Sequence, residues 1–219
     1  MDRQQLSALI DHTLLKPEAT AAQVEQLCAE AVEHGFASVC VSPTHVAFVA
    51  RHLAGYPSLA CSVVGFPSGA HLPVVKAAEA ARAVAEGAQE LDMVIDLGAL
   101  SDQGGIAVER EVAAVRAEVA DAAAIKVIIE SAALTDDQIV AACEAAVAGG
   151  ADFVKTSTGF HPSGGASAHA VALMRRTVGD AVGVKASGGI RSYEDALAML
   201  EAGASRLGMS SGVAMVTGG

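Results

Sequence analysis

The chain has 219 residues and a formal charge of −11; 52% of its residues are hydrophobic, but only 3% are aromatic. Such an excess of acid argues against a nucleic-acid backbone as partner, and no apolar run approaches the roughly 18 residues of a membrane-spanning helix. A core of Ala, Val, Leu and Ile with so few rings favours interleaved helices and buried strands over a β-sandwich, and the length suits a single domain over residues 1–219.

The first residues, Met1-Asp2-Arg3-Gln4-Gln5, lack the basic-then-apolar layout of a signal peptide. Cys28, Cys40, Cys61 and Cys143 form no C-x-x-C pair, so reduced thiols and a cytoplasmic location are expected. Strand-like runs then follow at 9–13, 38–41, 60–66, 90–96, 124–130, 153–158, 183–187 and 206–209. The stretches between them, 21–34, 43–53, 73–86, 106–120, 136–148, 168–178 and 193–201, carry Ala and Leu at helical spacing. Thr20, Thr135, Ser167 and Ser192 stand where helix N-caps belong. Gly35, Gly87, Gly149 and Gly203 each close a helix before a small residue and the next strand, which repeats one return turn along the chain. Such regular β–α units predict a closed (β/α)8 TIM barrel, an α/β fold, with a short N-terminal helix. An open doubly wound sheet is the alternative, but no G-x-G-x-x-G follows the first strand, where the sequence reads Ile10-Asp11-His12-Thr13.

In a barrel every second strand residue points inward, and the active site lies at the carboxyl ends of the strands. This alternation puts Lys155 and Lys185 inside on adjacent strands, and places Glu90, Asp92, Val94 and Asp96 on one face of the fourth. A lysine in an apolar strand is costly unless it is paired or neutral, and two facing amines disfavour each other's charge. A neutral lysine is a nucleophile able to form a Schiff base, with Asp92 as the nearby carboxylate. Spacing alone leaves either lysine as the nucleophile. A structural Asp–Lys pair is the bland alternative.

Glycine-rich turns form a second constellation: Thr158-Gly159, Gly164-Gly165, Gly188-Gly189 and the run Gly208-Met209-Ser210-Ser211-Gly212. Barrels frequently build a phosphate site from the loops after strands seven and eight, where Arg191 could add charge. The seven histidines form no H-x-H or H-E-x-x-H set, so no metal site is expected. No G-x-S-x-G elbow is present either.

Across nearly its whole length the chain resembles the deoxyribose-phosphate aldolases. The resemblance rests on the stretches IDHTLLKP at 10–17, FASVCV at 36–41, VGFPSG at 64–69, ELDMVI at 90–95, KVIIE at 126–130, GADFVKTSTGF at 150–160, GVKASGGIR at 183–191 and GMSSG at 208–212. It implies a class I aldolase that needs no cofactor and cleaves 2-deoxy-D-ribose 5-phosphate to D-glyceraldehyde 3-phosphate and acetaldehyde, in deoxyribonucleotide catabolism. By resemblance Lys155 is the Schiff-base lysine, Lys185 the partner that keeps that amine reactive and moves protons, and Asp92 serves with a water as proton donor and acceptor. Thr158, Gly159, Gly188, Gly189, Arg191, Gly208, Ser210 and Ser211 are then expected around the phosphorylated sugar. A homodimer is expected as well. The alternative is another phosphate-binding TIM-barrel lyase or isomerase, which would keep the glycine loops without needing two interior lysines.

Two departures stand out. Asp96 occupies a position where many members carry asparagine, which would add a second acid near Asp92. The sequence ends at Gly218-Gly219, where some members continue into a tyrosine-bearing tail over the site.

Overall fold

The computed structural model describes residues 2–218; Met1 and Gly219, at the two ends read above, lie outside the described residues. Eight parallel strands close into a barrel in chain order: β1 (Ile10–Leu14), β2 (Ser38–Val41), β3 (Leu59–Val64), β4 (Glu90–Val94), β5 (Ala124–Ile128), β6 (Phe153–Lys155), β7 (Gly183–Ser187) and β8 (Arg206–Met209), with β8 pairing back onto β1. The expected short N-terminal helix is α1 (Arg3–Ser7), capped by Asp2. The connections carry α2 (Ala21–His34), α3 (Val46–His52), α4 (Pro73–Ala85), α5 (Leu97–Gln103), α6 (Gly105–Val119), α7 (Asp136–Ala148), α8 (Ala168–Val178), α9 (Tyr193–Glu201) and α10 (Gly212–Thr217). Among the described residues no helix is long and apolar enough to cross a membrane.

The four expected N-caps all cap. Thr20, Thr135, Ser167 and Ser192 each accept a hydrogen bond from a backbone N–H in the first turn of their helix. Each such cap contributes about 1 kcal/mol. Gly35 takes the left-handed conformation (φ 69°) that ends α2 and turns the chain into β2.

The strands differ from expectation mainly at their carboxyl ends. The ladders of β3, β4, β5 and β6 stop two or three residues early, at Val64, Val94, Ile128 and Lys155. The residues that follow serve the loops instead: Asp96 becomes the N-cap of α5, and Glu130 adopts a left-handed φ of 55°. The helix expected over 43–53 opens with a 3₁₀ turn, Pro43–His45, before α3. Two helices, α5 and α10, follow strands where none was expected.

Strand alternation divides the core into two unlike regions. Outward-facing Leu91, Met93, Ile125, Val127, Val154, Val184, Ala186 and Leu207 pack against the helices in one large apolar cluster, all fully buried. A side chain of that size stabilises the fold by about 1.5–3 kcal/mol on burial. Inside the barrel the apolar cluster is small: Cys40, Cys61 and Val63, with Leu15 and Phe66 against them. The same interior also buries a set of ionic side chains, Asp11, Glu90, Asp92, Lys126 and Lys185.

Candidate active site

Asp92 is the hub of the interior. Its Oδ2 accepts hydrogen bonds from Lys155 Nζ and Lys185 Nζ, both at 2.6 Å, and its Oδ1 accepts one from Lys126 Nζ at 2.9 Å. The strand ladder dictates this convergence. Lys155 lies directly opposite Lys185 in the β6–β7 register, and Asp92 directly opposite Lys126 in the β4–β5 register. With all four side chains inward, only Asp92 can serve the three amines at once.

Below this hub, towards the amino ends of the strands, the charges continue. Lys185 Nζ is 2.5 Å from Asp11 Oδ2, and Lys126 Nζ is 2.7 Å from Glu90 Oε2. Arg206 closes the floor, donating to Asp11 Oδ1 at 2.7 Å and to Glu90 Oε1 at 3.1 Å, with its guanidinium 5.5 Å from the centre of the Phe153 ring. Burial works to raise the Asp92 carboxyl, but Lys126, Lys155 and Lys185 hold it well below the usual carboxylate range. Asp11 is likewise lowered: Lys185, Lys126 and Arg206 outweigh its burial. Burial works to lower Lys185, but Asp11 and Asp92 raise it above the usual lysine value. Lys126 is raised well above that value too, again against its burial, by Asp92, Cys61, Asp11 and Glu90.

These directions correct one expectation. Facing lysines were expected to disfavour each other's charge, yet Lys185 is an ammonium because two carboxylates hold it. Asp92, in turn, is held low by the three amines whose hydrogen bonds it accepts. The ledger of charges is informative: Asp11, Glu90 and Asp92 are matched by Lys126, Lys185 and Arg206, which leaves Lys155 as the fourth basic group.

Lys155 is also the member of this set that lines a cavity. The cavity, of about 410 Å³, opens at the carboxyl ends of the strands. Every residue expected around the phosphate lines it: Thr158 and Gly159 after β6; Gly188, Gly189 and Arg191 after β7; and Gly208, Ser210 and Ser211 in β8 and its loop. Gly189 has φ 82°, and a Cβ there would meet nothing within 4 Å, so its backbone faces open space. Gly165 has a different role. A Cβ on it would lie 2.1 Å from the carbonyl oxygen of Gly188, so the two loops touch through bare backbone. Asp92 and Lys185 lie beneath the cavity and do not line it.

Glu130 braces the same rim. It is buried and accepts hydrogen bonds from Thr158 N at 3.2 Å and Thr158 Oγ1 at 2.6 Å. Asp96, expected to add an acid near Asp92, is turned away: its Oδ1 accepts from Ala99 N at 3.0 Å at the start of α5. Because β4 ends at Val94, strand alternation no longer directs Asp96 inward.

Sequence reasoning missed the remainder of the cluster. Lys126 sits in an apolar strand, the same signal that singled out Lys155 and Lys185. Asp11 lay in a quoted stretch, and Glu90 shared the face of Asp92. Lys16 and Phe160, which also line the cavity, gave no comparable signal. Cys40, Cys61 and Asp92 bring one sulfur or oxygen each within 4.8 Å of one another. That trio suits a cation poorly, because both Asp92 oxygens already accept from lysines and Lys126 Nζ is 3.4 Å from Cys61 Sγ.

Comparison with known proteins places this geometry in a family. Residues 6–217 match the model of the DeoC/LacD family aldolases. The deoxyribose-phosphate aldolase of Kocuria rhizophila is 60% identical over 208 residues, 95% of this chain and 94% of that one. A solved chain from Coccidioides immitis superposes with a TM-score of 0.96 at 43% identity, covering 100% of this chain and 87% of its own. The deoxyribose phosphate aldolase of Aeropyrum pernix, described as a tetramer, superposes with a TM-score of 0.91 at 35% identity, over 99% of this chain and 91% of that one. With an ionic hub under a strand-end cavity and these relatives spanning its length, the chain belongs to the DeoC/LacD family of aldolases.

Proposed function

We propose that this chain is a class I aldolase that cleaves 2-deoxy-D-ribose 5-phosphate reversibly to D-glyceraldehyde 3-phosphate and acetaldehyde, with Lys155 as the Schiff-base nucleophile. One observation carries the assignment: of the amines gathered on Asp92, Lys155 alone borders the cavity. The count of charged groups supports it, because Lys155 is the basic group left over when Asp11, Glu90 and Asp92 are matched with Lys126, Lys185 and Arg206.

The Lys155 amine adds to the C1 aldehyde of the open-chain sugar and the carbinolamine loses water to give an iminium. Removal of the C3 hydroxyl proton then breaks the C2–C3 bond, and its electron pair flows into the iminium to leave an enamine. Protonation at C2 and hydrolysis release acetaldehyde and free the amine. Lys185 is the proton carrier on this reading. It is held charged, it shares Asp92 Oδ2 with Lys155, and two of its three protons face carboxylates. Asp92 keeps the two amines together. The glycine loops after β7 and β8 offer backbone N–H groups to the phosphate.

We further propose a cytoplasmic homodimer. Four unpaired cysteines suit a reducing compartment, and Leu72, Val74 and Val75, exposed at the start of α4, suit a second copy as cover. The rival reading, a phosphate-binding isomerase or unrelated lyase, gives no reason for the ionic hub. Borohydride reduction in the presence of acetaldehyde decides the matter. A stable adduct on Lys155 is expected, and Lys155→Ala should lose both the adduct and about 10⁴-fold or more of turnover. An adduct on a different lysine would sink the assignment.

A further inference from the structure

The ionisable residues lining the cavity are Lys16, Lys155 and Arg191, and all of them are basic, in a chain of net charge −11. A cavity of one sign inside a molecule of the other focuses the field on an oppositely charged ligand. Lys155 lies on the floor, within the cluster already described. Lys16 and Arg191 are exposed at the mouth.

Their places in the barrel set their relation. Lys16 follows β1 and Arg191 follows β7; β8 pairs with β1 on one side and β7 on the other. The loop after β8, with Ser210 and Ser211, therefore runs between the two cations. An anion resting on the glycine and serine backbone of that loop would have Lys16 on one flank and Arg191 on the other.

Lys16 is also unlike the other four lysines of the chain. Lys76, Lys126, Lys155 and Lys185 are all buried in ion pairs. Lys16 makes no side-chain hydrogen bond or ion pair among the described residues. Its backbone, by contrast, is fixed: its carbonyl accepts from Ala19 N at 3.0 Å, and Pro17 restricts the conformation of the residue before it. An unpartnered ammonium on a constrained loop, overhanging a basic cavity, is poised for an anionic group of the substrate.

We infer that Lys16 is a specificity-determining residue which, opposite Arg191, selects substrates carrying a phosphate monoester. The inference rests on the phosphosugar reading above and adds a residue to it. Lys16 acts on recognition of the distal group, well away from bond cleavage at C2–C3. Its weight should therefore fall on the choice between phosphorylated and free sugar.

The test measures kcat/KM for 2-deoxyribose 5-phosphate and for 2-deoxyribose in wild type, Lys16→Gln and Lys16→Arg, each at low and high ionic strength. In Lys16→Gln the preference for the phosphate ester should fall about tenfold, equivalent to roughly 1.4 kcal/mol. Lys16→Arg should keep most of that preference, and added salt should narrow the gap between wild type and Lys16→Gln. A preference unchanged in Lys16→Gln would overturn the inference, and so would an equal loss in Lys16→Arg, which would point to packing instead of charge. Wild type that cleaves neither sugar would fail the phosphosugar reading itself, an outcome distinct from active wild type with a silent Lys16.

Discussion

Lys76 and Lys155 are both buried lysines held by a carboxylate, yet they sit in opposite circumstances. Lys76, on α4, lies between the barrel and the helices, where its Nζ pairs with Glu111 and donates to the carbonyl of Val94 at 2.8 Å. Glu111 uses its other oxygen to accept from Asp96 N at 3.0 Å. A single amine meets a single carboxyl, each is also hydrogen-bonded to backbone, and neither lines the cavity described above. Lys155 shares its carboxylate with two other lysines, belongs to a cluster with one more base than acid, and borders a cavity. A buried lysine is therefore poor evidence of chemistry taken alone, because paired ones serve structure. Access to the cavity and membership of a cluster with an odd amine are what set Lys155 apart from Lys76.

The largest expected contrast between the two regions is in turnover. Asp92→Asn takes the shared charge from Lys155, Lys185 and Lys126 at once, and kcat should fall about 10³-fold. Glu111→Gln should leave kcat within a few-fold of wild type, although it weakens the fold. Steady-state cleavage assays on the two variants measure this, and comparable losses in both would erase the distinction.

A smaller contrast lies in how each region tolerates conversion to hydrocarbon. Removing one partner of a buried pair costs about 3–5 kcal/mol, whereas replacing both with apolar groups is often neutral or stabilising. Glu111→Leu should thus be destabilising alone and largely rescued by Lys76→Met. Lys126→Met should be destabilising too, but Asp92→Leu should not rescue it, because Lys155 and Lys185 would lose their common acceptor. Urea unfolding of each double-mutant cycle reads the coupling. Rescue in both cycles would mean that the interior cluster is only a set of independent pairs.

The sequence carried the barrel well. Regular β–α spacing and return glycines predict eight strands and their order, and the ladder places Lys155 opposite Lys185 as alternation required. Strand ends were harder to read, since Asp96 and Glu130 directly follow apolar runs that read as strand while their backbones leave the sheet to cap a helix or brace a loop. Lys126 was legible and overlooked. The partnership of Arg206 with Asp11 and Glu90 was not legible, because it joins positions 195 and 116 residues apart and depends on barrel closure. Nor could spacing choose between the two lysines: that distinction rests on which amine has carboxylates below it and which has open space above it.

The smallest contrast is in how the two regions respond to pH, and here they differ in sign. Asp11 and Asp92 sit below their ordinary values in the fold, so between the folded and unfolded values the unfolded chain binds more protons. Their contribution to stability is complete above about pH 5 and is lost as pH falls through about 4 towards the folded values. Glu111 goes the other way: burial is the largest influence on it and raises its carboxyl despite the pull of Lys76. The native state then holds a proton there that the unfolded chain has released, so this contribution shrinks as pH rises above about 4.3, the ordinary glutamate value. Each unit of difference corresponds to roughly 1.4 kcal/mol. Unfolding free energies measured across the acid range should show a rise with pH that is flattened in Asp11→Asn. In Glu111→Gln the opposing decline should be removed, so stability climbs more steeply than in wild type above about pH 4.3. A Glu111→Gln curve flattened in the same acid limb as Asp11→Asn would show that both regions hold ordinary ion-paired carboxylates, and the difference in sign would be lost.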